Sequence, residues 1–118
     1  MANKGRQEAE IKIACVQMEP VVGQKDRNVR RSVEFIEAAA DNGARLIVLP
    51  ELANSGYVFE TREEAFELAE PVPGGPTCHA WIEVAAKRKI WLVAGIAERV
   101  DGALYNSAVI IGPEGYIG

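Results

Sequence analysis

Two short apolar runs flank an amphipathic helix pattern in the first fifty residues of this chain. The runs at 11–17 and 45–49 are typical of strands. Between them, apolar residues recur every three or four positions from Val29 to Ala40, and Asp26 is expected to cap the start of this helix. Because consecutive strand, helix and strand patterns make a right-handed βαβ unit, the sequence predicts parallel strand pairing and an α/β fold.

The rest of the chain predicts two further helices and a hairpin. Thr61 and Glu64 have the spacing of a capping box, and Asp101-Gly102 is typical of a two-residue hairpin turn. The expected elements are a helix from Thr61 to about Ala69, a helix at 76–89, a strand at 90–96 and an antiparallel strand at 103–111. The final residues, "YIG", begin another strand, so we expect the chain to be part of a longer protein.

Composition limits the classes of protein to which the chain can belong. Its 118 residues are one domain's worth, and 48% apolar with 25% charged residues is typical of a globular protein. A net charge of −4 argues against nucleic-acid and anionic-membrane partners. No apolar run has the length of a membrane span, and residues 1–10 are a polar lead-in without a signal-peptide core, so we expect cytoplasmic residence.

Glu51 is the strongest candidate for chemistry. It follows the apolar run "LIVL" and Pro50, which cannot donate to a sheet ladder and therefore closes the strand. In open α/β sheets, functional groups gather beyond the carboxyl ends of the parallel strands. Glu51 is therefore expected at this edge of the sheet, where the alternative is an ordinary solvated loop acid.

Other chemically capable residues have structural explanations. Cys78 and His79 are adjacent on a helix and point about 100° apart, so we expect a core thiol and an exposed imidazole rather than a catalytic pair. Cys15, inside an apolar strand, is expected to be buried and inert. Asn106, inside another apolar strand, is expected to be buried and to hold a neighbouring loop by hydrogen bonds. Tyr57 is either a pocket wall or loop packing.

Five segments together resemble the start of nitrilase-superfamily carbon–nitrogen hydrolases. In chain order they are "IKIACVQMEPVVGQKDRNVRR", "GARLIVLPELANSGY", "PVPGGPT", "IWLVAGIAER" and "LYNSAVIIGPEGYIG". The resemblance implies an α-β-β-α sandwich, of which residues 11–118 supply the amino-terminal part of a single domain. That part would be a mixed sheet with helices on one face.

The resemblance also implies a mechanism. Members use a Glu–Lys–Cys triad, and Glu51 matches the glutamate, whereas the lysine and the nucleophilic cysteine are expected after Gly118. Glu51 would be the general base, Tyr57 a substrate-binding residue and Asn106 a structural support of the site. The substrate would be a small-molecule amide, carbamoyl compound or nitrile, and "ELANSGY" is closer to the amidase and carbamoylase branches. No cofactor or metal is implied, and members commonly form homo-oligomers through the helical face.

Two alternatives remain open. The chain could be a non-catalytic α/β module, or a half-domain that pairs with another chain. A nucleotide-binding doubly wound domain is disfavoured, because "PVPGGPT" has neither of the glycine spacings that cradle phosphate. With a base but no matching nucleophile, the 118 residues alone are expected to be inactive.

Overall fold

Within residues 8–118, five strands form one mixed sheet, in which spatial order follows chain order. The computed structural model describes residues 8–118, so residues 1–7 of the predicted lead-in lie outside the described part. The strands are β1 (Ile13–Cys15), β2 (Leu46–Val48), β3 (Trp91–Val100), β4 (Ala103–Gly112) and β5 (Gly115–Tyr116). The helices are α1 (Lys25–Asp41), α2 (Arg62–Leu68) and α3 (Pro76–Arg88).

The strand directions agree with the sequence pattern. β1, β2 and β3 are parallel, with Ile13, Leu46 and Trp91 side by side, which confirms the βαβ unit and the α/β class. β3 and β4 pair antiparallel along their whole length across the turn at Asp101, as predicted. β5 adds a short antiparallel edge to β4. β1 and β2 are shorter than predicted, whereas β3 is longer.

The two faces of the sheet differ in what covers them. One face packs against α1 and α3 and holds a core that includes Ile47, Leu92 and Ile96 of the sheet with Ile36 and Trp81 of the helices. The opposite face, called here the helix-free face, carries side chains that alternate with the buried ones. These side chains are Ile13, Cys15, Leu46, Val48, Trp91, Val93, Asn106, Ala108 and Ile110. The expected arrangement of helices on one face is confirmed.

The helix-free face corrects one expectation about a cysteine. Cys15 is exposed rather than buried, because it points away from the helices while Ala14 beside it points toward them. An apolar strand sequence predicts burial, but it cannot say which faces another layer will cover.

The N-cap of α1 lies two residues before Asp26, the cap that the sequence predicted. Gln24 is the N-cap residue and makes no side-chain cap bond, so Asp26 lies within the first turn of the helix. The Asp26 carboxylate there still interacts favourably with the positive end of the helix dipole. The buried side of α1 includes Asn28 and Ser32 beside Ile36, and Ser32 Oγ accepts a hydrogen bond from Trp81 Nε1 of α3 at 2.8 Å.

Candidate active site

Glu51 lies just beyond the carboxyl end of β2, where the sequence placed it. The segment 50–56, called here the Glu51 loop, leaves β2 but remains bound to the edge of β3. Gly95 N donates to Pro50 O at 3.2 Å, and Ala53 N donates to Gly95 O at 3.0 Å. Backbone bonds on both sides therefore hold Glu51 beside the middle of β3.

The Glu51 carboxylate reaches the helix-free face of the sheet. Asn106 Nδ2, on β4, donates a hydrogen bond to Glu51 Oε1. Asn106 is exposed, contrary to the predicted burial, because it lies on the helix-free face with Ala108 and Ile110, whereas the adjacent Ser107 points to the helix side and is half-buried. Hydrogen bonds to ionised groups are stronger than those between neutral groups, so this amide orients the carboxylate.

The approach of β3 to the Glu51 loop is too close for a side chain at position 95. A Cβ atom built on Gly95 would lie 2.5 Å from Glu51 Cα, 2.6 Å from Pro50 O and 2.7 Å from Leu52 N. Since these are backbone atoms, no side-chain rotation could relieve the overlap. The absence of a side chain at Gly95 therefore allows the backbone of Glu51 to lie this close to β3.

The Glu51 loop is tightly turned. Leu52 has φ 46 and Gly56 has φ 87, and Ser55 N and Gly56 N both donate to Leu52 O. A Cβ atom on Gly56 would lie 2.7 Å from Val22 Cγ2, so the loop also packs closely on the segment before α1. Left-handed backbone at a leucine has an energetic cost that the surrounding contacts must offset.

Tyr57 follows this loop, and its side chain is 45% exposed. Among the hydrogen bonds recorded for residues 8–118, none joins Tyr57 to Glu51 or to Asn106. The structure thus brings two of the three predicted site residues together, and the substrate-binding role of Tyr57 stays a prediction.

A buried polar cluster beneath the Glu51 loop was missed from the sequence. It consists of Lys25, Asn54, Glu70 and Thr77, and is called here the Glu70 cluster. Glu70 is 2% exposed. Its carboxylate accepts hydrogen bonds from Thr77 and forms an ion pair with Lys25. The connector "EPVPGGP" gave no sign of a buried acid, because the partners come from three separate segments.

Cys78 and His79, the residues considered as a catalytic pair, do not form one. Cys78 is fully buried, and its burial, with the carboxylates of Glu70 and Glu98 nearby, raises the pKa of its thiol to about 11. Such a thiol is protonated at neutral pH and is a poor nucleophile. His79 is exposed. The predictions of a core thiol and an exposed imidazole are confirmed.

Residues 8–118 contain neither a metal-binding group nor a membrane-spanning helix. In that range, no group of three or more His, Cys, Asp or Glu side chains is arranged to hold a metal ion. None of the helices described is both long and apolar enough to cross a membrane.

Comparison with known proteins assigns the chain to a family. Residues 12–118 fit the sequence model described as "Carbon-nitrogen hydrolase". The chain belongs to the carbon–nitrogen hydrolase family. Its sequence is 46% identical over 108 residues to a nitrilase of Pyrococcus abyssi, covering 92% of this chain and 41% of that protein. It is 37% identical over 105 residues to the human omega-amidase NIT2, covering 88% of this chain and 36% of that protein.

Structural comparison agrees with this assignment. A crystal structure of an N-terminal amidase with a Gln-Val peptide matches with a TM-score of 0.81 at 24% identity, covering 92% of this chain and 27% of that one. The predicted nitrilase-superfamily membership and fold class are confirmed. The chain spans about two fifths of the length of the nitrilase that it matches.

Proposed function

We propose that this protein is an amidase-type carbon–nitrogen hydrolase in which Glu51 is the general base. The observation that carries the proposal is the position of Glu51, bound to Asn106 on the helix-free face, in a chain of this family. A base must lie in a fixed place relative to the proton that it removes, and the backbone bonds to Gly95 supply that fixed place.

In the proposed reaction, a cysteine sulfur attacks the carbonyl or nitrile carbon of the substrate and forms a covalent intermediate. Glu51 removes the thiol proton, passes it to the departing ammonia or amine, and later activates the hydrolytic water. A lysine stabilises the negative charge that develops on the substrate. The proposal places this lysine and this cysteine outside the 118 residues, since neither Cys78 nor Cys15 matches the nucleophile.

The proposed substrate is a small-molecule amide, carbamoyl compound or nitrile. The relatives support a carbon–nitrogen bond as the target, and they include both a nitrilase and an omega-amidase. The sequence "ELANSGY" favours the amidase and carbamoylase branches over nitriles. Ammonia release from aliphatic amides, carbamoyl amines and nitriles, measured side by side on the full-length protein, would separate these classes.

The base assignment predicts the effect of Glu51→Gln in the full-length protein. This nearly isosteric change removes the proton acceptor, so turnover of the best substrate should fall by about 10²- to 10⁴-fold. Because glutamine keeps the shape of the side chain and can still accept the hydrogen bond from Asn106, the melting temperature should stay close to that of the wild type.

Glu60→Gln is the matched control, since Glu60 is an exposed glutamate in the connection that follows the Glu51 loop. It should leave both turnover and melting temperature unchanged. Turnover by Glu51→Gln at a rate near that of the control would exclude Glu51 as the base.

A further inference from the structure

The Glu51 loop has a buried side opposite to the side that carries Glu51. Asn54 lies there with no exposed surface, and its Nδ2 is 3.3 Å from Glu70 Oε2 and 3.4 Å from Thr77 Oγ1. Its backbone carbonyl accepts a hydrogen bond from Asn28 Nδ2 of α1 at 3.0 Å. The loop is therefore attached through Asn54 to both helical segments beneath it.

Asn54 and Glu70 also form hydrogen bonds with the edge of β3, beyond the point where β2 ends. Ala97 N donates to Asn54 Oδ1 at 3.3 Å, and Glu70 N donates to Ala97 O at 2.9 Å. Arg99 N then donates to Glu70 O at 3.0 Å. The two residues are thus fixed to one strand and to each other.

The Glu70 carboxylate is fully engaged by donors. Thr77 N, in the first turn of α3, donates to Oε1 at 2.7 Å, and Thr77 Oγ1 donates to Oε2 at 2.6 Å. Lys25 Nζ lies 3.1 Å from Oε2 and is partly shielded from water. Together with Asn54 Nδ2, these groups place four donors around the two carboxylate oxygens of Glu70. Glu70 acts as the acceptor in all four contacts.

We propose that Glu70 is a positioning residue for Glu51. Its buried carboxylate holds the amide of Asn54, and Asn54 fixes the loop that presents Glu51 on the helix-free face. Glu70 touches neither Glu51 nor the helix-free face in this arrangement and acts through the loop. The catalytic consequence rests on the proposed function, whereas the order of the loop can be measured without it.

The informative substitution is Glu70→Gln, which keeps the shape and changes one acceptor into a donor. An amide nitrogen at the position of Oε2 would face the donors of Asn54 and Lys25. In the opposite orientation it would face the backbone N–H of Thr77. Either orientation sets a donor against a donor, and an unpaired buried donor is costly.

The experiment compares hydrogen exchange and kinetics of the full-length protein. In Glu70→Gln, the amides of Ala53, Ser55 and Gly56 should exchange about tenfold faster or more, as expected when the bonds that close the loop weaken. The value of kcat should fall by about ten- to a hundredfold, the size of loss that a small misplacement of a reacting group causes. KM should change much less than kcat.

Val84→Ala is the control for a general loss of stability. Val84 is buried on α3 and belongs to the hydrophobic core. It should lower the melting temperature without selectively accelerating exchange in the Glu51 loop, and its kcat should stay near the wild-type value at temperatures well below unfolding.

Two further variants keep the test decisive. Glu70→Gln combined with Asn54→Asp exchanges the acceptor and the donor between the two positions, and it should recover part of the protection and of kcat. If Glu70→Gln does not fold, Asn54→Ser tests the same link, because it removes the amide that binds Glu70, together with the acceptor of Ala97 N, and leaves the Glu70–Thr77 bonds. It should show the faster exchange expected of Glu70→Gln.

The proposal is overturned if Glu70→Gln or Asn54→Ser leaves exchange in the Glu51 loop at the wild-type rate. It is also overturned if kcat falls no further than in a core variant of equal stability. If the wild-type protein hydrolyses none of the substrates, the proposed function fails, and the exchange measurement still decides the positioning role of Glu70.

Discussion

Gly95 is the residue at which the sheet and the candidate active site are in backbone contact. Its amide and carbonyl bond Pro50 and Ala53, and the space for a Cβ atom is already occupied by Glu51 Cα. A glycine inside a strand often marks such an approach, so this position carried a signal in the sequence.

Gly95→Ala should therefore destabilise the protein and displace the Glu51 loop. Overpacking against atoms that cannot rotate away costs about 1–3 kcal/mol, which would appear as a lower free energy of unfolding in a denaturant titration. Activity should fall as well, because Glu51 would be lifted from its position.

The control is Gly74→Ala, because nothing lies within 4 Å of a Cβ atom built on Gly74. It should leave the free energy of unfolding within a few tenths of a kcal/mol of the wild type. Equal stability of the two variants would contradict the close approach at Gly95.

Single residues show both what the sequence predicts and what it hides. Glu51 could be placed, because a carboxylate after an apolar run and a proline has a defined location in an α/β sheet. Glu70 could not, since its partners Lys25, Asn54 and Thr77 are distant in sequence and meet through tertiary packing alone. Asn28 did carry a signal, as a polar residue on the inward side of α1.

At the scale of the element, sequence motifs predicted best those elements whose defining contacts join residues close in the chain. The capping box predicted α2, and Thr61 Oγ1 does accept a hydrogen bond from Glu64 N at 3.0 Å. The Asp101-Gly102 hairpin was equally local. By contrast, β3 extends past the predicted end at residue 96, because Glu70 and β4 pair with residues up to Val100. The hairpin turn implied the pairing with β4, whereas the pairing with Glu70 is not visible from a run of apolar residues.

α2 should depend strongly on its cap. It has seven residues and none of them is buried, so packing adds little to its stability. Thr61→Ala should lower the free energy of unfolding of this segment by about 1 kcal/mol, seen as faster hydrogen exchange across α2. Thr61→Ser keeps the hydroxyl acceptor and should stay close to the wild type; equal effects of both changes would argue against the cap.

At the scale of the whole molecule, the helix-free face is the largest departure from what an ordinary globular domain presents. Ile13 is 57% exposed, Trp91 43% and Ile110 45%, and all three lie on this one surface. Contiguous exposed apolar patches mark surfaces that contact another layer or chain. This agrees with the expectation of a sandwich, because the continuous apolar run at 45–49 is typical of a strand that is covered on both faces.

The 118-residue chain expressed alone should consequently bind a hydrophobic dye such as ANS and self-associate. Ile110→Lys should reduce both, because it places a charge in the middle of the helix-free face. Val100→Lys is the control, since Val100 is 50% exposed but lies at the hairpin end, on the opposite side of β3. A monodisperse chain that binds no dye and unfolds cooperatively would favour the self-sufficient module instead.

The contact between Asn54 and Glu70 has a consequence for how such proteins can diversify. The chain between them, which includes Tyr57 and α2, leaves the edge of β3 and returns to it at a neighbouring position. Because its two ends are joined at the edge of β3, changes in its length and shape need not displace Glu51. This stretch can therefore be exchanged as a unit, so that the surroundings of Glu51 can change while the position of Glu51 stays the same.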